Sequence, residues 1–202
     1  GASARYAVQI PNVGALVPQL SGAAELTGTA QQVARGYDID ASLHGPAGTT
    51  VSAQGLIGSD GQLALDATGQ AQLGLANPFL EPRNIAGIAN FDLTIDGPAA
   101  LSSVSGQITT QGARLAAPTL PLSFDDISGA VRLSGGQATL ELNAGVTEGG
   151  AISITGPLTL SGRYPAQIDV ALNNVVVSDP ALYTSLINGG ISVNGALLGG
   201  AR

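Results

Sequence analysis

The chain has 202 residues, 44% hydrophobic but only 3% aromatic, with 29 Gly, 11 Pro and no Cys, Met or Trp. That apolar content excludes a disordered chain, and the lack of cysteine excludes disulfides, thiolate metal sites and thiol catalysis. Seven scattered basic residues, all Arg, against fourteen acids leave a net charge of −7, with no basic cluster to track phosphates, so no nucleic-acid partner is expected.

Taken in chain order, the sequence alternates oily and wet residues almost throughout. After a weak helical spot at ALVPQLSG, YDIDASLHG sets Tyr37, Ile39, Ala41 and Leu43 against Asp38, Asp40 and Ser42. Leu63–Ala67, with Leu65, continues the pattern. NPFLEPRNIAG predicts a helix capped by Asn77, with Pro78 in its first position and Pro82 limiting it to about a turn. ANFDLTIDG sets Phe91, Leu93 and Ile95 against Asp92, Thr94 and Asp96. Val131 and Leu133, then Leu140 and Leu142 in QATLELNAG, Ile152 and Ile154 in AISITG, and Ile168, Val170 and Leu172 in QIDVALNN repeat the alternation. SDPALYTSLINGG predicts a second short helix, capped by Asp179 and stopped at Gly189 or Gly190.

Turn signals such as GSDG, DGP, SGG, EGG and TGP separate these runs every 8–12 residues or so, which predicts an all-β chain of on the order of a dozen strands. Asn77-Pro78 and Asp179-Pro180 occupy corresponding places in two degenerate repeats, 14–97 and 98–200. The pattern is under way at Gly1 and still running at GALLGGAR, so 1–202 reads as a single elongated fragment of a larger protein. No apolar run approaches the roughly 18 residues of a spanning helix.

What covers the oily face? Burying a Leu or Ile stabilises by roughly 1.5–3 kcal/mol, and about twenty such residues share one side. Leaving them in water would erase the ~5–15 kcal/mol of a typical domain. No long amphipathic helix exists to cover them, so the cover is expected to be sheet: a sandwich, a solenoid, or one sheet bent over on itself. A membrane barrel is disfavoured by the scarcity of aromatic girdle residues and by runs that look like five to seven residues, short of the roughly 9–11 a crossing strand needs.

Reactive constellations are scarce, so the chain reads as no enzyme and as needing no cofactor or metal. His44, the only histidine, sits at a strand end before HGPAG. Asp125-Asp126 reads as the start of a turn between Phe124 and Ile127. The calcium-loop look of GSDGQLALD lacks tandem repetition, and there is no phosphate loop ending in Lys-Ser/Thr and no G-x-S-x-G.

The segment LPLSFDDISGAVRLSGGQATLELNAGVTEGGAISITGPLTLSG, Leu120–Gly162, resembles the periplasmic repeats of the TamB family, in the AsmA-like group of bridge-like lipid transporters. DPALYTSLINGGISVNGALLGG and IAGIANFDLTIDGP resemble that family's helix-then-strand element, and the likeness runs from about Gly14 to Gly200. It implies a long curved antiparallel sheet folded lengthwise into a groove-forming β-taco, with one to three very short helices. It implies that the parent protein sits in the periplasm, anchored in the inner membrane, and conducts phospholipid between the membranes. Its partners would then be phospholipid acyl chains or outer-membrane protein β-strands, with a TamA- or BamA-like barrel. The groove face would comprise Ile39, Leu43, Leu65, Leu93, Ile95, Val131, Leu133, Leu140, Leu142, Ile152, Ile154, Ile168, Val170 and Leu172. A strand-binding chaperone scaffold and a structural β-solenoid of an adhesin are the alternatives. The chain departs from the family in having no Lys and no aromatic-rich C-terminus.

Overall fold

In a computed structural model, which describes residues 2–15, 17–118, 122–179 and 183–196, the chain is one antiparallel sheet of thirteen strands. The strands are β1 (Ser3–Ile10), β2 (Ala24–Val33), β3 (Gly36–His44), β4 (Thr50–Gly58), β5 (Leu63–Gln72), β6 (Asn84–Ala86) and β7 (Ile88–Gly97). They continue as β8 (Val104–Ala117), β9 (Leu122–Ser134), β10 (Gln137–Val146), β11 (Ala151–Thr159), β12 (Pro165–Asp179) and β13 (Tyr183–Ala196). Neighbours in sequence are neighbours in space, except that β7 pairs β5 while the three-residue β6 pairs β8 beyond the end of β7. The sheet is open, with β1 and β13 at its two edges. Every described pairing is antiparallel, whereas the stacked coils of a solenoid ordinarily pair their strands in parallel.

Because side chains alternate at period two, the register sorts the sheet into an oily and a wet face. One oily row runs Leu26, Leu43, Val51, Gly69, Phe91, Ile108, Val131, Leu140 and Gly156 on successive strands. The wet face carries rows such as Asp40, Gln54, Asp66, Thr94 and Ser105. Gly69 leaves room for an aromatic ring from the next strand: a Cβ there would lie 2.7 Å from Cζ of Phe91. An aromatic laid over a strand glycine restores the packing that the glycine forgoes.

Beyond the row Thr110–Gly129–Leu142–Ile154–Val170 the register shifts between Thr110 and Ala113, Asn143 and Gly145, and Leu172 and Val175. Left-handed backbone at Gly112, Asp126 and Asn174 marks the same line, with φ of 67°, 53° and 49°. Bulges bend the strand that carries them and raise its twist, so bulges aligned across β8–β12 form a crease. Along it Val146, Ile152 and Val175 bury one another, with Phe124, Ile154, Val170, Leu172 and Val177 packed around them. This is the lengthwise fold of the sheet.

Several sequence expectations change. Among the described residues the helix expected from Asp179 does not form: β12 runs to Asp179 and β13 begins at Tyr183, with Asp179 opposite Tyr183, while Pro180–Leu182 lie outside the described residues. Ile187, Ile191 and Val193 alternate with small and polar residues, so pairing with β12 outweighs the capping signal. Asn77–Leu80 does form one helical turn, but Ala76 is its N-cap. The Asn77 side chain instead accepts a hydrogen bond from the Ile85 N–H (2.7 Å) and donates to Asn84 (2.7 Å), tethering β6. Near ALVPQLSG the described residues form a 3-10 turn at Val13–Ala15, and Leu16 lies outside them. Asp125-Asp126 lies at the bulge inside β9 and starts no turn. The strands, β6 apart, are 8–15 residues long, so the short-run argument against a barrel fails; the open edges are what distinguish the sheet from one.

Gly156, in mid-strand, has φ +132°, and a Cβ there would sit 2.1 Å from the Gln167 carbonyl oxygen on β12. Gly156→Ala combines strain of about 1–3 kcal/mol with a forced separation of β11 from β12. The expected loss is about 3 kcal/mol or more, read as a lowered urea midpoint; an unchanged midpoint would contradict this geometry.

Candidate functional site: an uncovered apolar face

All fourteen residues expected on the groove face lie on the same side of the sheet. Leu65 opposes Ile95 and Leu140 opposes Val131. Leu142, Ile154 and Val170 stand in one row, as do Ile152 and Leu172, and Leu93 and Leu133 flank Gly106. Only Ile152 is buried, in the crease. The other thirteen, Ile39, Leu43, Leu65, Leu93, Ile95, Val131, Leu133, Leu140, Leu142, Ile154, Ile168, Val170 and Leu172, are half-buried.

That intermediate state corrects the expectation that other strands cover most of the oily face. A second layer would bury these side chains, whereas neighbours on strands about 4.8 Å away cover only their flanks. Cross-strand pairs of this kind contribute about 0.2–1 kcal/mol each, which holds a single-layer sheet together with its face partly wet. Among the described residues the buried hydrophobics are chiefly alanines, and Val175, at 2% exposure, is the one large side chain fully enclosed.

The face continues past the crease. The segment from Leu73 to Gly87, including the helix and β6, brings Leu73 and Ile85 against Ala89, Ala113 and Ile127, and together with Ile108, Val131 and Leu142 they line an apolar cavity of about 170 Å³. The alternation did not show this pocket. It depends on the bulges, and its only sequence signal is small residues, Ala89, Ala113 and Gly129, where larger ones otherwise recur.

The opposite face is polar and exposed. Glu141 accepts from Arg132 at 2.6 Å, which holds the guanidinium above its ordinary pKa. Asp125 takes a hydrogen bond from Thr147 (2.6 Å) and pairs with Arg114 (3.4 Å), and Thr94 donates to Asp66 at 2.9 Å. Asp60 accepts from the Gln62 N–H (3.0 Å) in the β4–β5 turn, an Asx turn that accounts for GSDG. His44 is exposed at the end of β3, opposite Glu25 and Thr50. Among the described residues no group of three or more His, Cys, Asp or Glu is placed to hold a metal ion, and no helix is long and apolar enough to cross a membrane.

The geometry defines a class: an open, creased antiparallel sheet with one uncovered apolar face. The chain matches no protein-family model, no curated protein and no solved structure.

Proposed function

We propose that this sheet is a segment of a hydrophobic trough that shields phospholipid acyl chains as they cross the periplasm between the inner and outer membranes. In this reading the parent protein is anchored in the inner membrane, meets a barrel of the TamA or BamA kind, and supports outer-membrane assembly. The observation that carries the reading is the apolar face itself. It stays apolar from strand to strand, carries no charged side chain in the rows traced above, and among the described residues is covered by no second layer. Acyl chains need apolar contact without hydrogen-bonding groups, and a face chiefly of Leu, Ile, Val, Phe, Ala and Gly supplies it. The test is mass spectrometry of lipid extracted from the purified domain. Phospholipid in near-stoichiometric amount is the expected result, and a lipid-free protein that takes up none from vesicles would overturn the reading.

A second reading, a scaffold that binds nascent outer-membrane strands, is favoured by β13. All fourteen of its residues are exposed and none is charged, with Leu186 at 62% and Ile191 at 53% exposure. An edge without charge, proline or cover is open to an added strand. Crosslinks from β13 to outer-membrane proteins, with no lipid on the oily face, would favour this reading over the first.

A further inference from the structure

The crease is filled along one stretch and hollow along the next. Between β10 and β12 it is plugged by Val146, Ile152 and Val175. Between β7 and β9 the corresponding corner is lined by Ala89, Ala113 and Gly129, and there the cavity of about 170 Å³ opens under Leu73 and Ile85. Ala113 is fully buried, and a Cβ on Gly87 would lie 2.8 Å from the Ala113 Cβ, so the backbone closes tightly over this corner. Leu142 bounds the cavity on one side and pairs with Ile154, which packs against the plug.

From this contrast we infer that the hollow corner is a subsite for the methyl end of a single unbranched hydrocarbon chain lying in the trough. This rests on the trough reading above and adds where on it a chain ends. An apolar cavity of about 150 Å³ stays dry and takes up a hydrocarbon of roughly six carbons. Apart from Thr109 and Thr110 the lining is Leu, Ile, Val, Ala and Gly, and the Thr110 hydroxyl already donates to the Ile88 carbonyl at 2.8 Å. Ile108 and Val131, which line the cavity, also belong to the oily row of the open face. A chain can therefore pass from the face into the corner without leaving apolar contact. A larger side chain at Ala89 would fill the corner, as Val146 and Val175 fill the neighbouring one.

The chain contains no tryptophan, so Ile108→Trp places a single indole in the wall of the subsite, and Leu43→Trp places one on the same oily face outside it. Each variant is titrated with stearic acid brominated near its methyl end or near its carboxyl end, and indole fluorescence is followed. The expected result for Ile108→Trp is quenching severalfold stronger from the methyl-end bromine. Leu43→Trp should show no such preference, and adding Ala89→Leu to Ile108→Trp should abolish it. Equal quenching by the two acids in Ile108→Trp, or a preference that survives Ala89→Leu, overturns the subsite and leaves the trough standing; a client side chain occupying the corner gives that outcome. Quenching in neither variant overturns the trough reading along with the subsite. If circular dichroism shows that Ile108→Trp does not fold, Val131→Trp, directly opposite on β9, reports on the same wall.

Discussion

Leu140→Asp is expected to leave the sheet folded and to remove its capacity to hold lipid. Leu140 stands in mid-row on β10, between Val131 and Gly156, half-buried and outside the buried crease cluster. Since the side chain is already partly wet, a carboxylate there reaches solvent, and the stability cost stays within the ordinary range of about 1–3 kcal/mol. An acyl chain crossing that row would have to desolvate the charge, and an unpaired ion is strongly disfavoured in an apolar setting. The expected outcome is a modestly lowered melting temperature with lipid co-purification lost. A variant that is stable and carries as much lipid as the parent would contradict it. Ile154→Asp is a poorer probe, because Ile154 packs against the buried cluster and its loss confounds folding with binding.

Val175→Asp is expected to do the reverse and undo the fold at the crease. Val175 is 2% exposed and in contact with Val146 and Ile152, and none of the groups packed around it offers a counter-ion. An uncompensated buried charge costs about 3–5 kcal/mol, a large part of a typical margin of about 5–15 kcal/mol. Loss of amide hydrogen-exchange protection should begin in β12 and the neighbouring β11 and β13, and Val175→Ala should give a milder form of the same effect. Unchanged protection in these strands would mean that the crease is held by something other than this cluster.

How legible all this was differs from element to element. Period-two alternation at Ile39–Leu43, Phe91–Ile95 and Leu140–Leu142 revealed both the all-β architecture and the oily face, because a strand with one wet side states its register in every second residue. Strand length was hidden wherever a bulge interrupts the alternation. The alternation in QIDVALNN stops at Asn173 and Asn174, yet β12 passes through both to Asp179, with the Asn174 N–H held by the Asn188 side chain at 2.8 Å. Around Asp179 a cap residue followed by proline suggested a helix, and long-range pairing with β12 decided otherwise; local propensity is a weak prior of this kind. The degree to which the face is covered could not be read from composition, since alternation is the same for a sandwich and for a single open sheet. The hollow corner was invisible for a related reason: Leu73, Ile85, Ala113 and Ile127 meet only because bulges on different strands fall on one line.

The most direct measurement is a photo-crosslinking walk along β7 in cells, with a photoreactive residue placed in turn at Phe91, Asp92, Leu93, Thr94, Ile95 and Asp96. These positions alternate between the oily and wet faces, the first, third and fifth being half-buried and the others exposed. An open trough that holds acyl chains predicts phospholipid adducts at Phe91, Leu93 and Ile95 and none at Asp92, Thr94 and Asp96. Adducts to lipid at every position, or at none, would contradict it.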